Sequence, residues 1–250
     1  MSDSTMTGSK IRRGVTENDI GIKILYEPPL KEDIEVDIVF IHGIGAHPDD
    51  TWCKKIHSGE TPRFVNWLSD PEMLPAALPN VRIMRYGYKS DWFGDNLIQQ
   101  NVTRVKQRFL MSLKRYRKEP ACQKRPLLIG AHCFGGLVAL DAFVTATRQP
   151  KDWPNISDYI TGMVFFGTPF RGADGEGQMR LIEAAQALHS GKVDPGVLRI
   201  TQRNDELLQR ILNDFEDVHR YQENETTLVC FYETVACDVM SILGKEGKLS

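Results

Sequence analysis

An α/β fold with a mostly parallel central sheet is predicted by three features of the sequence. Short apolar runs alternate with amphipathic helical patterns, which is how a sheet covered by helices reads. One run, VDIVFIHG (36–43), is almost unbroken in β-branched and aromatic residues, the mark of a central strand buried on both faces. Another stretch, PLLIGAHCFGGLVALDAF (126–143), passes from a strand pattern through small residues directly into a helical pattern. At 250 residues the chain is long enough for one large domain. No internal repeat and no Gly/Ser-rich or Pro-rich linker divides it.

The elements follow in order. Residues 1–19 are polar, without an apolar core, and read as a flexible leader rather than a secretory signal. The α/β domain then spans 20–250. GIKILYEPP (21–29) is a first strand closed by two prolines, and VDIVFIHG is the second. The stretch behind it, carrying His47 and His57, reads as a loop. VRIMRYGY (81–88) is a third strand and PLLIGA (126–131) a fourth. Between them, Leu97, Val102, Val105, Phe109, Leu113 and Tyr116 recur at helical spacing, one face turned to the sheet. The Arg and Lys residues around that stripe read as a solvated outer face. ITGMVFFGTP (160–169) and TTLVCFYE (226–233) complete the strands. A helical insert of about 172–224 separates them, with an amphipathic helix through Leu207, Ile211 and Phe215.

Composition narrows the function. The formal net charge is −2, which offers no electrostatic pull toward nucleic acid or an anionic membrane. No apolar run approaches the roughly 20 residues of a membrane span. Five single cysteines (Cys53, Cys122, Cys133, Cys230, Cys237) form no metal-type CxxC pair. An odd count without a secretory signal points to reduced thiols, and the cytoplasm is the expected location. GIGAHP has Pro48 where a dinucleotide loop needs its third glycine, and no GK[ST] occurs. No nucleotide cofactor and no metal are expected.

The chemistry is expected at the strand-to-helix hinge around Cys133. A nucleophile on such a turn stands above the sheet edge, against the oriented N–H groups of the following helix. The turn needs small neighbours because the two backbones nearly touch, and Ala131, Gly135 and Gly136 supply them. A thiol there is open to activation, since helix N-termini favour the thiolate. A buried, inert thiol is the plain alternative. Acyl transfer also needs two N–H donors at the developing oxyanion. One would come from Phe134 and the other from the Gly43-Ile44 turn, where glycine lets the chain bend. Trp52, Trp92 and Phe93 are candidates either for lining a pocket or for packing.

Four blocks, VDIVFIHGIGAHPDDTW, LPNVRIMRYGYKSDW, RPLLIGAHCFGG and GMVFFGTPFRGAD, resemble in order a serine esterase, lipase-like family of α/β-hydrolases. That family includes the N-terminal domains of many fungal NOD-like receptors. The resemblance runs from about residue 20 to 235. It implies the α/β-hydrolase fold, with helices on both sheet faces, and cofactor-independent action on a small-molecule or lipid ester. Cys133 falls on the family's serine, with Ala131 replacing the first glycine of G-x-S-x-G. Ile44 and Phe134 fall on the oxyanion positions, and Glu233 on the triad acid, with Asp174 and Asp238 as substitutes.

The family's base is a histidine after an eighth strand, beyond the acid, and no histidine follows Glu233. His42 and His132 belong to the oxyanion turn and the hinge; His47, His57, His189 and His219 read as structural or solvated. The resemblance therefore leaves two expectations. In one, the last strand and its histidine lie beyond Ser250, together with any further C-terminal domains, and the chain is an ester or thioester hydrolase. In the other, it is a non-catalytic interaction or signalling domain of a larger receptor-type protein.

Overall fold

The computed structural model describes residues 14–44, 46–57, 62–90, 98–170, 205–221 and 226–232. Eight strands are present among them: β1 (Gly21–Tyr26), β2 (Val36–Ile41), β3 (Cys53–His57), β4 (Pro62–Asn66), β5 (Val81–Gly87), β6 (Leu127–His132), β7 (Ile160–Phe166) and β8 (Thr227–Phe231). The helices are α1 (Leu74–Ala77), α2 (Ile98–Tyr116), α3 (Pro120–Gln123), α4 (Gly135–Arg148) and α5 (Glu206–Arg220).

Six strands form one sheet in the order β1-β5-β2-β6-β7-β8. Only β1 runs antiparallel to its neighbour; the remaining pairs are parallel. The connection from β2 leads to β5 on one side, and the connection from β6 leads through α4 to β7 on the other. The sheet thus changes winding direction between β2 and β6, and a crevice opens beyond the carboxyl ends of strands at such a point. His42 to Ile44 and Cys133 both lie there.

Side chains alternate across the sheet as the pleat requires. Val39, Ile41, Met84, Tyr86, Ile129 and Ala131 face a core shared with α2, α4 and α5. Ile38, Phe40, Val81 and Ile83 face the opposite side, where Trp52, Trp67, Leu68 and Leu74 of α1 cover them. The helical stripe is as the spacing predicts: Val102, Phe109, Leu110 and Leu113 are buried, with Val105 and Tyr116 packed beside them. Leu97 lies outside the described residues. α5 buries Leu207, Leu208, Ile211 and Phe215 and is capped by Asp205, whose carboxylate accepts from the Leu207 and Leu208 N–H groups. The rest of the expected insert, 172–204 and 222–224, lies outside the described residues.

Two expectations change. The stretch after β2 is not all loop: β3 and β4 form an antiparallel hairpin, and His57 ends its first strand. The basic residues of the α2 region are also not uniformly solvated. Lys106 pairs with the buried Asp141 of α4 at 2.9 Å. Arg117, just past α2, is 3% exposed and bonds the fully buried Asp37 at 2.7 Å. Arg82 holds the same carboxylate through two 2.9 Å bonds and Arg125 through one of 3.3 Å. Fully buried Asp37 is thus enclosed by three guanidinium groups, as a buried charge requires. No helix among the described residues is long and apolar enough to cross a membrane.

Candidate active site

Cys133 is the single residue between β6 and the first residue of α4 other than the N-cap Phe134. It has φ = 52°, in the left-handed region, which costs a non-glycine residue on the order of 1–2 kcal/mol. Its own peptide groups hold it there: its N–H donates to the Phe166 carbonyl at 2.9 Å, and its carbonyl accepts from the Gly136 N–H at 3.1 Å. Cys133 is in no disulfide among the described residues, and it is half-buried.

The turn is possible only because the surrounding residues lack side chains. A Cβ on Gly43 would sit 2.9 Å from the Cys133 Cβ. One on Gly135 would sit 2.6 Å from the carbonyl oxygens of both Ile41 and His42, and one on Gly136 2.2 Å from the Thr168 hydroxyl. Ala131 is fully buried, so its methyl group is accommodated where a G-x-S-x-G turn has glycine.

Phe134 follows Cys133 directly, and Ile44 follows Gly43, whose Cα approaches the Cys133 Cβ. Phe134 is the N-cap of α4 with its ring buried. Ile44 lies in the turn after β2 and packs, like Cys133, against the larger core. Among the described residues neither their N–H groups have a backbone acceptor. The structure therefore brings Cys133, Phe134 and the Gly43-Ile44 turn together. Glu233, Asp174, Asp238, His189, Trp92 and Phe93 lie outside the described residues. Trp52 is 3% exposed and stands edge-on to Phe40 and Trp67, so it packs.

His42, His47 and His219 are engaged elsewhere. His42 is fully buried; Nδ1 contacts the Gly43 carbonyl at 2.9 Å and Nε2 accepts from the Tyr88 N–H at 3.2 Å. Burial, reinforced by the charge of Arg85, pushes its pKa down to about 3, against the opposing Gly43 hydrogen bond. His47 accepts from the Asp49 N–H through Nδ1 and lies 3.4 Å from the Asp19 carboxylate through Nε2. His219 contacts the Thr226 carbonyl. The His132 ring stands edge-on to Trp52.

Tyr88 was not singled out by the sequence. Its hydroxyl donates to the His42 carbonyl at 2.8 Å, and its ring stacks on the His42 imidazole, centroids 4.2 Å apart. Burial first, and the neighbouring Cys133 second, raise its pKa well above the ordinary phenol value. The one sequence cue was its place at the end of the strand pattern VRIMRYGY.

No family model matches the chain. Protein SERAC1 of Danio rerio is 24% identical over 163 residues, spanning 61% of this chain. The chain in turn spans only 24% of SERAC1's length. Among solved structures, the phospholipase PlaB of Legionella pneumophila aligns with a TM-score of 0.50 at 10% identity. That match covers 85% of this chain and 42% of PlaB. The acyl-protein thioesterase 2 of Zea mays aligns over 90% of this chain and 96% of its own, with 12% identity and a TM-score of 0.41. The fold is that of the α/β-hydrolases, a mostly parallel sheet flanked by helices.

Proposed function

We propose that this chain carries out cofactor-independent acyl transfer from an ester or thioester, with Cys133 as the nucleophile. One observation carries the reading: half-buried Cys133 is held at φ = 52° at a strand-to-helix turn against Gly43, while the N–H groups of Phe134 and Ile44 have no backbone acceptor among the described residues. Strain of that kind persists only where the surroundings impose it, and it concentrates at functional sites. The α/β-hydrolase fold and the lipid-ester and thioester hydrolases among its structural neighbours support the same class.

In this reading the thiol loses its proton to solvent and Sγ attacks the acyl carbonyl, forming an S–C bond. The carbonyl oxygen becomes an oxyanion held by the Phe134 and Ile44 N–H groups. Collapse breaks the C–O or C–S bond, and the leaving alkoxide or thiolate takes a proton from water. The product is a Cys133 thioester. Its hydrolysis needs an activated water, and His42, His47 and His219 are all committed to other partners. Glu233 would orient a histidine supplied from elsewhere in the full-length protein; without one, the acyl group stays on Cys133. The location would be cytoplasmic.

Those committed histidines also favour a second reading, a non-catalytic interaction or signalling domain within a larger receptor-type protein. The two separate in a burst experiment with p-nitrophenyl butyrate. Acyl transfer predicts about one equivalent of p-nitrophenol per chain, followed by slow turnover, with the burst absent in Cys133→Ala. No burst from the wild-type chain supports the second reading.

A further inference from the structure

The turn that carries Ile44 has a conflict built into it. Gly43 must be glycine, since a Cβ would meet the Cys133 Cβ at 2.9 Å. Yet glycine is the residue least able to hold one backbone conformation, and an oxyanion donor is useful only when its direction is fixed beforehand. The rigidity has to come from outside the turn.

We propose that His42 and Tyr88 are positioning residues that clamp the peptides on both sides of Gly43 and thereby aim the Ile44 N–H; this rests on the acyl-transfer reading above. The Tyr88 N–H donates to Nε2 of His42, so that nitrogen carries no proton and Nδ1 does. Nδ1–H then donates to the Gly43 carbonyl at 2.9 Å. In a trans peptide the C=O and the following N–H point in opposite directions, and no cis peptide occurs among the described residues. Fixing the Gly43 carbonyl against the imidazole therefore turns the Ile44 N–H to the far side. The preceding peptide is held in the same way, by the 2.8 Å bond from the Tyr88 hydroxyl to the His42 carbonyl.

The clamp is a closed unit. The two rings stack at 4.2 Å with an angle of 20°, His42 is fully buried and Tyr88 is 4% exposed. Both ring nitrogens, the phenol and two carbonyls are satisfied by one another. Burial also keeps the imidazole neutral far into acid, so its acceptor at Nε2 and donor at Nδ1 persist across the working range.

Two reactions of the same thiol test this. Acylation by p-nitrophenyl butyrate passes through a tetrahedral oxyanion; alkylation by iodoacetamide displaces iodide and forms none. In Tyr88→Phe the acylation rate constant should fall about 10-fold or more with an unchanged saturation constant, and alkylation of Cys133 should stay within about twofold of wild type. His42→Asn, whose amide replaces Nδ1–H, should keep more acylation than His42→Ala. Equal loss in both reactions assigns the pair a merely structural role and overturns the inference, as does no loss in either. A wild-type chain that alkylates but never acylates at Cys133 overturns the acyl-transfer reading instead. One measurement needs no variant: long-range ¹H–¹⁵N spectra of the wild-type chain should show His42 protonated at Nδ1 alone from pH 5 to 8. The opposite tautomer overturns the clamp.

Discussion

Gly43 and Cys133 touch backbone to side chain: the hydrogen that stands for a side chain on Gly43 points at the Cys133 Cβ, where a methyl carbon would be 2.9 Å away. The same methyl would lie 3.3 Å from the His132 carbonyl, so it cannot turn aside. Gly43→Ala should push the turn off the hinge. We expect a stability loss of about 1–3 kcal/mol, the usual cost of overpacking, and a larger proportional loss of Cys133 acylation. Urea denaturation and acylation rates of the same sample check both.

Gly135 and Gly136 should respond differently to the same substitution. A methyl at Gly135 meets two main-chain carbonyls: that of Ile41, which ends β2, and that of His42, which is held by the Tyr88 hydroxyl. At Gly136 the three nearest atoms all belong to the Thr168 side chain. Gly136→Ala should therefore be partly rescued by Thr168→Ala, whereas Gly135→Ala should not. A double-mutant cycle on unfolding free energy should give a favourable Gly136–Thr168 coupling of about 0.5–3 kcal/mol.

Asp37 sits at the start of β2, at the opposite end of the sheet from the thiol, in register with Leu127 at the start of β6. Its three arginines, Arg82, Arg117 and Arg125, are each under 10% exposed. Asp37→Asn leaves these cations buried around a neutral group, and a loss of about 3–5 kcal/mol is expected. The folded fraction should still acylate Cys133 at the wild-type rate. Chemical denaturation, with acylation read under native conditions, separates the two effects.

His42 makes stability fall in mild acid. Its folded pKa is about 3 against an ordinary 6.5, so between those values the unfolded chain binds a proton that the folded chain refuses. Stability from this group is complete above about pH 6.5 and is lost as pH falls toward 3. The slope approaches about 1.4 kcal/mol per pH unit. Urea midpoints at pH 7, 6, 5 and 4 should drop more steeply for the wild type than for His42→Asn, by roughly one proton's worth of slope.

The sheet was legible because its strands are short, apolar and bounded by Gly and Pro: β2, β6 and β7 each carry the burial that their composition announces. The hinge was legible for a related reason, since small residues between a strand and a helix pattern have few other uses. The β3–β4 hairpin was not, because CKKIH and PRFVN mix charge with apolar residues and hardly exceed a loop in hydrophobicity. Asp37 and Arg117 were not, because a charged residue reads as exposed until its partners are known, and those partners lie 45, 80 and 88 positions away. Tyr88 escaped for the same reason: its role depends on a contact with His42, 46 positions earlier. The hinge residues around Cys133 are neighbours in sequence; Gly43, which packs against it, and Tyr88, which bonds the His42 carbonyl, are not.

The most direct test is intact mass after brief incubation with p-nitrophenyl butyrate at neutral pH, beside Cys133→Ala, with peptide mapping across the five cysteines. The account predicts a single butyryl adduct, on Cys133, formed much faster than on Cys53, Cys122, Cys230 or Cys237, and absent from Cys133→Ala. Acylation spread evenly over the exposed thiols, or none at Cys133, would contradict it.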